Sequence, residues 1–159
     1  MESVLRDSIW RSLLQSDQEQ RYWHRKACQY VKWDFRSKVF LALITSSTVA
    51  SWSLWNDHPL LWKSLTVVAS LVSIVLPFLS LNDKVLGMTE VHGKWLQLMH
   101  EYEELWRDQA LLEDGAARAR VSSAKKIESE LSSKAIGLPA QDRKLGATTY
   151  HEVIAERTM

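Results

Sequence analysis

The residue pairs that come nearest to catalytic chemistry are His100-Glu101 and His151-Glu152. Each begins like the zinc-protease pattern, in which two histidines four apart on a helix hold the metal and the intervening glutamate acts as base. Glu104 and Ala155 stand where the second histidine belongs, so neither pair completes a site. His24 and Cys28 lie one helical turn apart, a spacing at which two side chains can share a metal. No companion pair of ligands accompanies them, and they read as two polar residues on a helix surface. The five glycines form neither a phosphate loop nor a dinucleotide fingerprint. The run Glu101-Tyr102-Glu103-Glu104 reads as a solvated face rather than a general acid pair. No catalytic residue, metal or cofactor is expected, and hence no enzyme.

The remaining groups with chemistry are hydroxyls. Thr45, Ser47, Thr48 and Ser51 sit in a stretch that has no charged residue. In an assembly of several copies they can line a pore. The alternatives are that they pack helices closely or bond back to their own helix carbonyls. Ser46 with Ala50, Ser47 with Ser51, and Thr66 with Ser70 are pairs of small residues four apart, a spacing that lets helix backbones approach.

These groups are positioned by two apolar segments. Residues 39–56 and 64–82 contain no Asp, Glu, Lys or Arg. At about 1.5 Å rise per residue, each comes close to the roughly 30 Å hydrocarbon thickness of a bilayer. Residues 57–63, with Asp57-His58-Pro59 at their start, form a short turn, so the two spans are expected to be antiparallel neighbours. Pro77 is expected to bend the second. Trp33, Trp52, Trp55 and Trp62 are placed to anchor the ends of the spans at the membrane interface. Arg21, Arg25, Lys26, Lys32, Arg36 and Lys38 precede the first span, whereas the turn holds only Lys63. That asymmetry puts both termini in the cytoplasm. The net charge of +1 gives no strong attraction to nucleic acid, and a single cysteine cannot form an intrachain disulfide. Neither a secretory leader nor a lipidation signal is expected.

The flanks read as helices. Residues 1–38 carry two apolar groups, Ile9-Trp10 with Leu13-Leu14, and Trp23, Ala27, Tyr30 and Val31, with a break expected at Gln15-Ser16-Asp17. Residues 83–136 read as one long helix running straight on from the second span, with Gly87 and Gly93 loosening the junction. Met88, Val91, Trp95, Leu98, Tyr102 and Leu105 form a seam at three- and four-residue spacing, which continues through Gln109, Leu112, Ala116 and Ala119. Residues 137–159 form a tail with a short helix near 147–156. The expected fold is all-α: a transmembrane helical hairpin continuous with a cytoplasmic antiparallel helical, coiled-coil stalk.

This layout resembles the SLATT-domain family of bacterial two-transmembrane effectors. The resemblance is carried by Arg21-Tyr22-Trp23-His24-Arg25-Lys26-Ala27, by the two spans, and by Trp95–Trp106, and it covers roughly residues 18–155. It implies a pore-forming effector in the bacterial inner (plasma) membrane. Such an effector permeabilises or depolarises that membrane to abort phage infection. Its implied partners are membrane lipid, further copies of itself, and a trigger: a nucleotide second messenger, or a sensor or synthase protein encoded nearby. The other reading of the same residues is a non-conducting anchor whose coiled coil recruits a soluble partner.

Overall fold

The computed structural model describes residues 3–46, 59–108 and 113–157. The described residues form five α-helices and no strand: α1 (Ser3–Thr45), α2 (Pro59–Phe78), α3 (Leu81–Arg107), α4 (Asp114–Ala135) and α5 (Arg143–Arg157). They divide into two compact units, residues 28–85 and the rest.

Helix α1 is continuous through Gln15-Ser16-Asp17, where a break was expected. It contains neither Gly nor Pro to interrupt the ladder. The side chains that favour caps are occupied within the helix: Ser16 Oγ donates to the Leu13 carbonyl at 2.9 Å, and Asp17 accepts from Arg21 Nε at 2.7 Å. The helix also runs without interruption past residue 38, through the expected boundary of the first span.

Helix α2, which covers most of the expected second span, does not continue straight into α3. The two helices are bent by 46° at a short break. Pro77 has no N–H, so the ladder cannot be completed there. Leu79 N–H then bonds the Leu76 carbonyl and Ser80 N–H the Pro77 carbonyl, closing α2 with tighter turns. Ser80 has φ 43°, a left-handed conformation that costs a residue with a Cβ about 1–2 kcal/mol. Ser80→Gly is therefore expected to stabilise the break by up to ~1 kcal/mol, after allowing for the greater freedom of glycine in the unfolded chain. Ser80→Val is expected to destabilise it. Thermal unfolding of the two variants beside the parent protein checks the sign.

The expected 83–136 helix is two helices. Glu113 is extended at ψ 144° immediately before α4, and the chain reverses. Glu90 pairs with Lys134 at 3.0 Å and Glu104 with Arg120 at 3.3 Å, so α3 and α4 lie antiparallel. Met88, Val91, Trp95, Leu98, Tyr102 and Leu105 are all buried along α3. On α4 the buried stripe is Ala117, Val121, Ala124 and Leu131. Ala116 and Ala119, which continue the α3 register on paper, are exposed, because the reversal resets the phase. Gln109 and Leu112 lie outside the described residues.

Against α3 packs the first part of α1, also antiparallel. Trp10 meets Trp106 with ring centroids 4.9 Å apart, and His24 meets His92 at 5.1 Å. Ile9, Leu13, Tyr22 and Trp23 are buried along this face. Gly87 of α3 permits a close approach of the segment that follows α4, since a Cβ on it would lie 2.9 Å from the end of the Leu138 side chain.

Candidate functional site

Two features outside ordinary core packing stand out, one in each unit. The first is the apolar surface of residues 28–85. On α2, Leu60, Val67, Leu71, Ile74 and Phe78 are all exposed, Phe78 to 83%. Trp33, Phe35 and Leu43 on α1 are exposed as well. Water-soluble proteins seldom leave so many large apolar side chains uncovered on adjacent turns. Two hydroxyls of α2 bond back to their own helix: Ser64 Oγ donates to the Leu61 carbonyl at 2.8 Å and Ser70 Oγ to the Thr66 carbonyl at 2.9 Å.

Among the described residues no single helix is long and apolar enough to cross a membrane. Lys63–Phe78 together with Leu81–Arg107 meets that test as a bent pair, by length and composition alone.

Of the four hydroxyl residues proposed to line a pore or pack helices, Ser47, Thr48 and Ser51 lie outside the described residues. Thr45 is the last residue of α1. Trp52 and Trp55 likewise fall outside, Trp62 is within α2, and Trp33 is 58% exposed.

The second feature, wholly inside the other unit, is a set of charges that fastens α5 to α1 and α3. Asp17, 1% exposed, is its centre. It accepts from Arg21 and Gln20 on its own helix and from Arg157 Nε of α5 at 3.0 Å. Arg157 also reaches Glu103 of α3 at 2.7 Å. Arg21 pairs with Glu156 at 2.6 Å, and both guanidinium nitrogens at the tip of Arg25 donate to Glu152. The bidentate geometry fixes direction as well as distance. By contrast, α5 buries only Thr149 and Val153. Burial pushes the Asp17 carboxyl up, but hydrogen bonds from Arg21, Gln20 and Arg157 outweigh it and hold the group below the ordinary carboxylate value. Hydrogen bonding to Arg21 lowers Glu156 in the same way.

A buried lysine fixes the segment before α5. Lys26 is 4% exposed, and its ammonium donates to Tyr22 Oη and the Pro139 carbonyl, each at 2.9 Å, and to the Ala140 carbonyl. Three acceptors match its three protons. Tyr22 Oη in turn accepts from the Asp142 backbone N–H at 2.8 Å. Sequence reading counted Lys26, Arg21 and Arg25 among the cations that orient the membrane spans. The structure engages all three in holding residues 139–157 on α1. Lys38 is also paired, with Asp34 at 2.6 Å. The i,i+4 spacing of Asp17 and Arg21 was visible in the sequence, whereas their link to Arg157 and Glu156 spans more than a hundred residues.

Elsewhere in this unit a polar groove of about 770 Å³ runs between α1 and α4, with Arg11, Lys125 and several serines on its walls. Among its lining residues, Glu128 is pushed up by burial, and the Tyr102 hydroxyl, raised to about 12 by burial, donates to it at 3.4 Å.

Comparison with known protein families, curated proteins and solved structures finds no match to this chain.

Proposed function

We propose that this chain is a two-pass effector of the bacterial inner membrane, with both termini in the cytoplasm, whose copies assemble and open a pore when triggered. On this reading the pore permeabilises or depolarises the membrane as the final step of an antiphage, abortive-infection response, in the manner of the SLATT-domain proteins that the sequence layout resembles. One observation carries the membrane part: large apolar side chains are exposed along α2 and the adjoining turns of α1, while the rest of the chain has its own buried core. A lipid environment removes the cost of that exposure. The pore part rests on the hydroxyl-rich stretch around Ser47 and Ser51 and on the family layout. The trigger is a nucleotide second messenger or a sensor or synthase protein. No catalysis is assigned to any residue.

The test is dye and ion leakage from proteoliposomes, with the oligomer mass measured in the same preparation. Leakage from a defined oligomer supports the pore. Tight vesicles that hold only monomer or dimer count against it.

A second reading is a non-conducting anchor whose helical stalk recruits a soluble partner. It is favoured by the Ser64 and Ser70 hydroxyls of α2, which donate to carbonyls of their own helix. Ser47→Leu combined with Ser51→Leu separates the two. In a pore the double substitution should abolish leakage, and in an anchor it should leave partner recruitment at the parental level.

A further inference from the structure

Wholly inside residues 28–85, beside the Ser80 break, lies a cavity of about 410 Å³ lined by Gln29, Tyr30, Trp33, Leu79, Leu81 and Lys84. We propose that it binds one anionic phospholipid, with the headgroup phosphate at Lys84 and the upper part of an acyl chain against Leu79 and Leu81. This rests on the membrane reading above and adds a specific lipid partner to it.

The walls combine polar, amphipathic and apolar side chains. Lys84 and the Gln29 amide supply donors, Tyr30 and Trp33 are amphipathic, and the two leucines are apolar. Those three kinds of group suit a lipid's headgroup, its interfacial region and the start of its chain, and aromatic residues favour that region. Lys84 is half-buried and takes part in no ion pair among the described residues, so its charge is open to an incoming anion. Lys32 and Arg36, exposed on the same unit, add positive potential.

A second cavity of about 430 Å³ in this unit provides the contrast. Its walls include Pro77, Leu76 and Lys38, but Lys38 is neutralised by Asp34 at 2.6 Å. Size does not distinguish the two cavities; the availability of the cation does. Basic pockets between helices on the cytoplasmic side of a membrane are suited to anionic headgroups for this reason.

The experiment is native mass spectrometry of the full chain, released from micelles doped with equal phosphatidylglycerol and phosphatidylcholine. Flotation with vesicles of each lipid is run alongside. The parent protein should retain phosphatidylglycerol preferentially. Lys84→Gln should lower that retention about fivefold, the factor expected for one cation at a membrane surface. Lys38→Gln should leave it unchanged. Unfolding temperatures of all three proteins verify that the fold is retained. Equal retention of both lipids, or a Lys84→Gln variant that retains phosphatidylglycerol like the parent, overturns the proposal while leaving the membrane reading intact if the protein still floats. A protein that floats with neither vesicle overturns both.

Discussion

Leu98→Asp is expected to unfold the helical bundle formed by α3, α4, α5 and the first part of α1. Leu98 is 1% exposed on α3, in the middle of the stripe running from Met88 to Leu105. Removing a buried leucine costs about 2–5 kcal/mol through lost burial and the cavity left behind. The new carboxylate must then either ionise without a partner or be protonated at a further cost. The sum reaches the total stability of an ordinary domain, about 5–15 kcal/mol. Circular dichroism and limited proteolysis should show loss of the cooperative transition. Glu101→Lys, one turn away and exposed, should change stability by no more than about 0.5 kcal/mol.

The same type of substitution on α2 discriminates environments. Leu71 is 58% exposed. In water, Leu71→Asp should be nearly neutral. In a bilayer a carboxylate at mid-span costs about 2.5–3.5 kcal/mol, and insertion should fail. Normal membrane recovery of Leu71→Asp would remove the membrane reading.

Asp17→Ala is expected to release α5. Asp17 is the buried acceptor that Arg157 and Arg21 share, and Arg157 in turn holds Glu103. Removing this acceptor costs about 1–3 kcal/mol, because both guanidinium groups lose a buried charge-assisted hydrogen bond while each keeps one carboxylate, Glu156 for Arg21 and Glu103 for Arg157. Little apolar contact compensates, since Val153 is the one large apolar side chain that α5 buries. Hydrogen exchange should therefore rise across residues 143–157 while α3 stays protected. Asp17→Asn should fall between parent and alanine, because it keeps an acceptor and loses the charge.

The pH dependence has a definite sign. The Asp17 carboxyl titrates lower in the folded protein than its ordinary 3.8. Its contribution is thus complete above that value and is lost as the pH falls through the lower, folded-state value. Glu156 shifts in the same direction and adds to the effect. Docking of α5 should hold at neutral pH and weaken in strong acid, and Asp17→Ala should flatten the acid limb. An α5 that stays protected in Asp17→Ala at neutral pH would show that its attachment lies elsewhere.

How much was legible in the sequence differs between elements for a physical reason. Helical periodicity is a local property, so Met88, Val91, Trp95, Leu98, Tyr102 and Leu105 announced a buried stripe at three- and four-residue spacing. The all-helical class follows from the same signal, as does the apolar character of α2. The stop at Asp17 was misread because a capping residue suits two situations, and only its partners decide between them: Arg21 one turn on, and Arg157 from α5.

What the sequence by itself determined is therefore the all-helical class, the apolar stripe of α3, and the two uncharged stretches. The tertiary structure alone decided that 83–136 folds back on itself between Arg107 and Asp114, that the chain turns at Ser80 in a left-handed conformation, and that Lys26, Arg21 and Arg25 serve α5 and its approach. Those outcomes depend on which distant charges and carbonyls meet once the apolar faces are buried. Pairings such as Arg21 with Glu156 join residues with no common local pattern. Their free energy exists only after the desolvation that folding imposes, and no short window of sequence contains it.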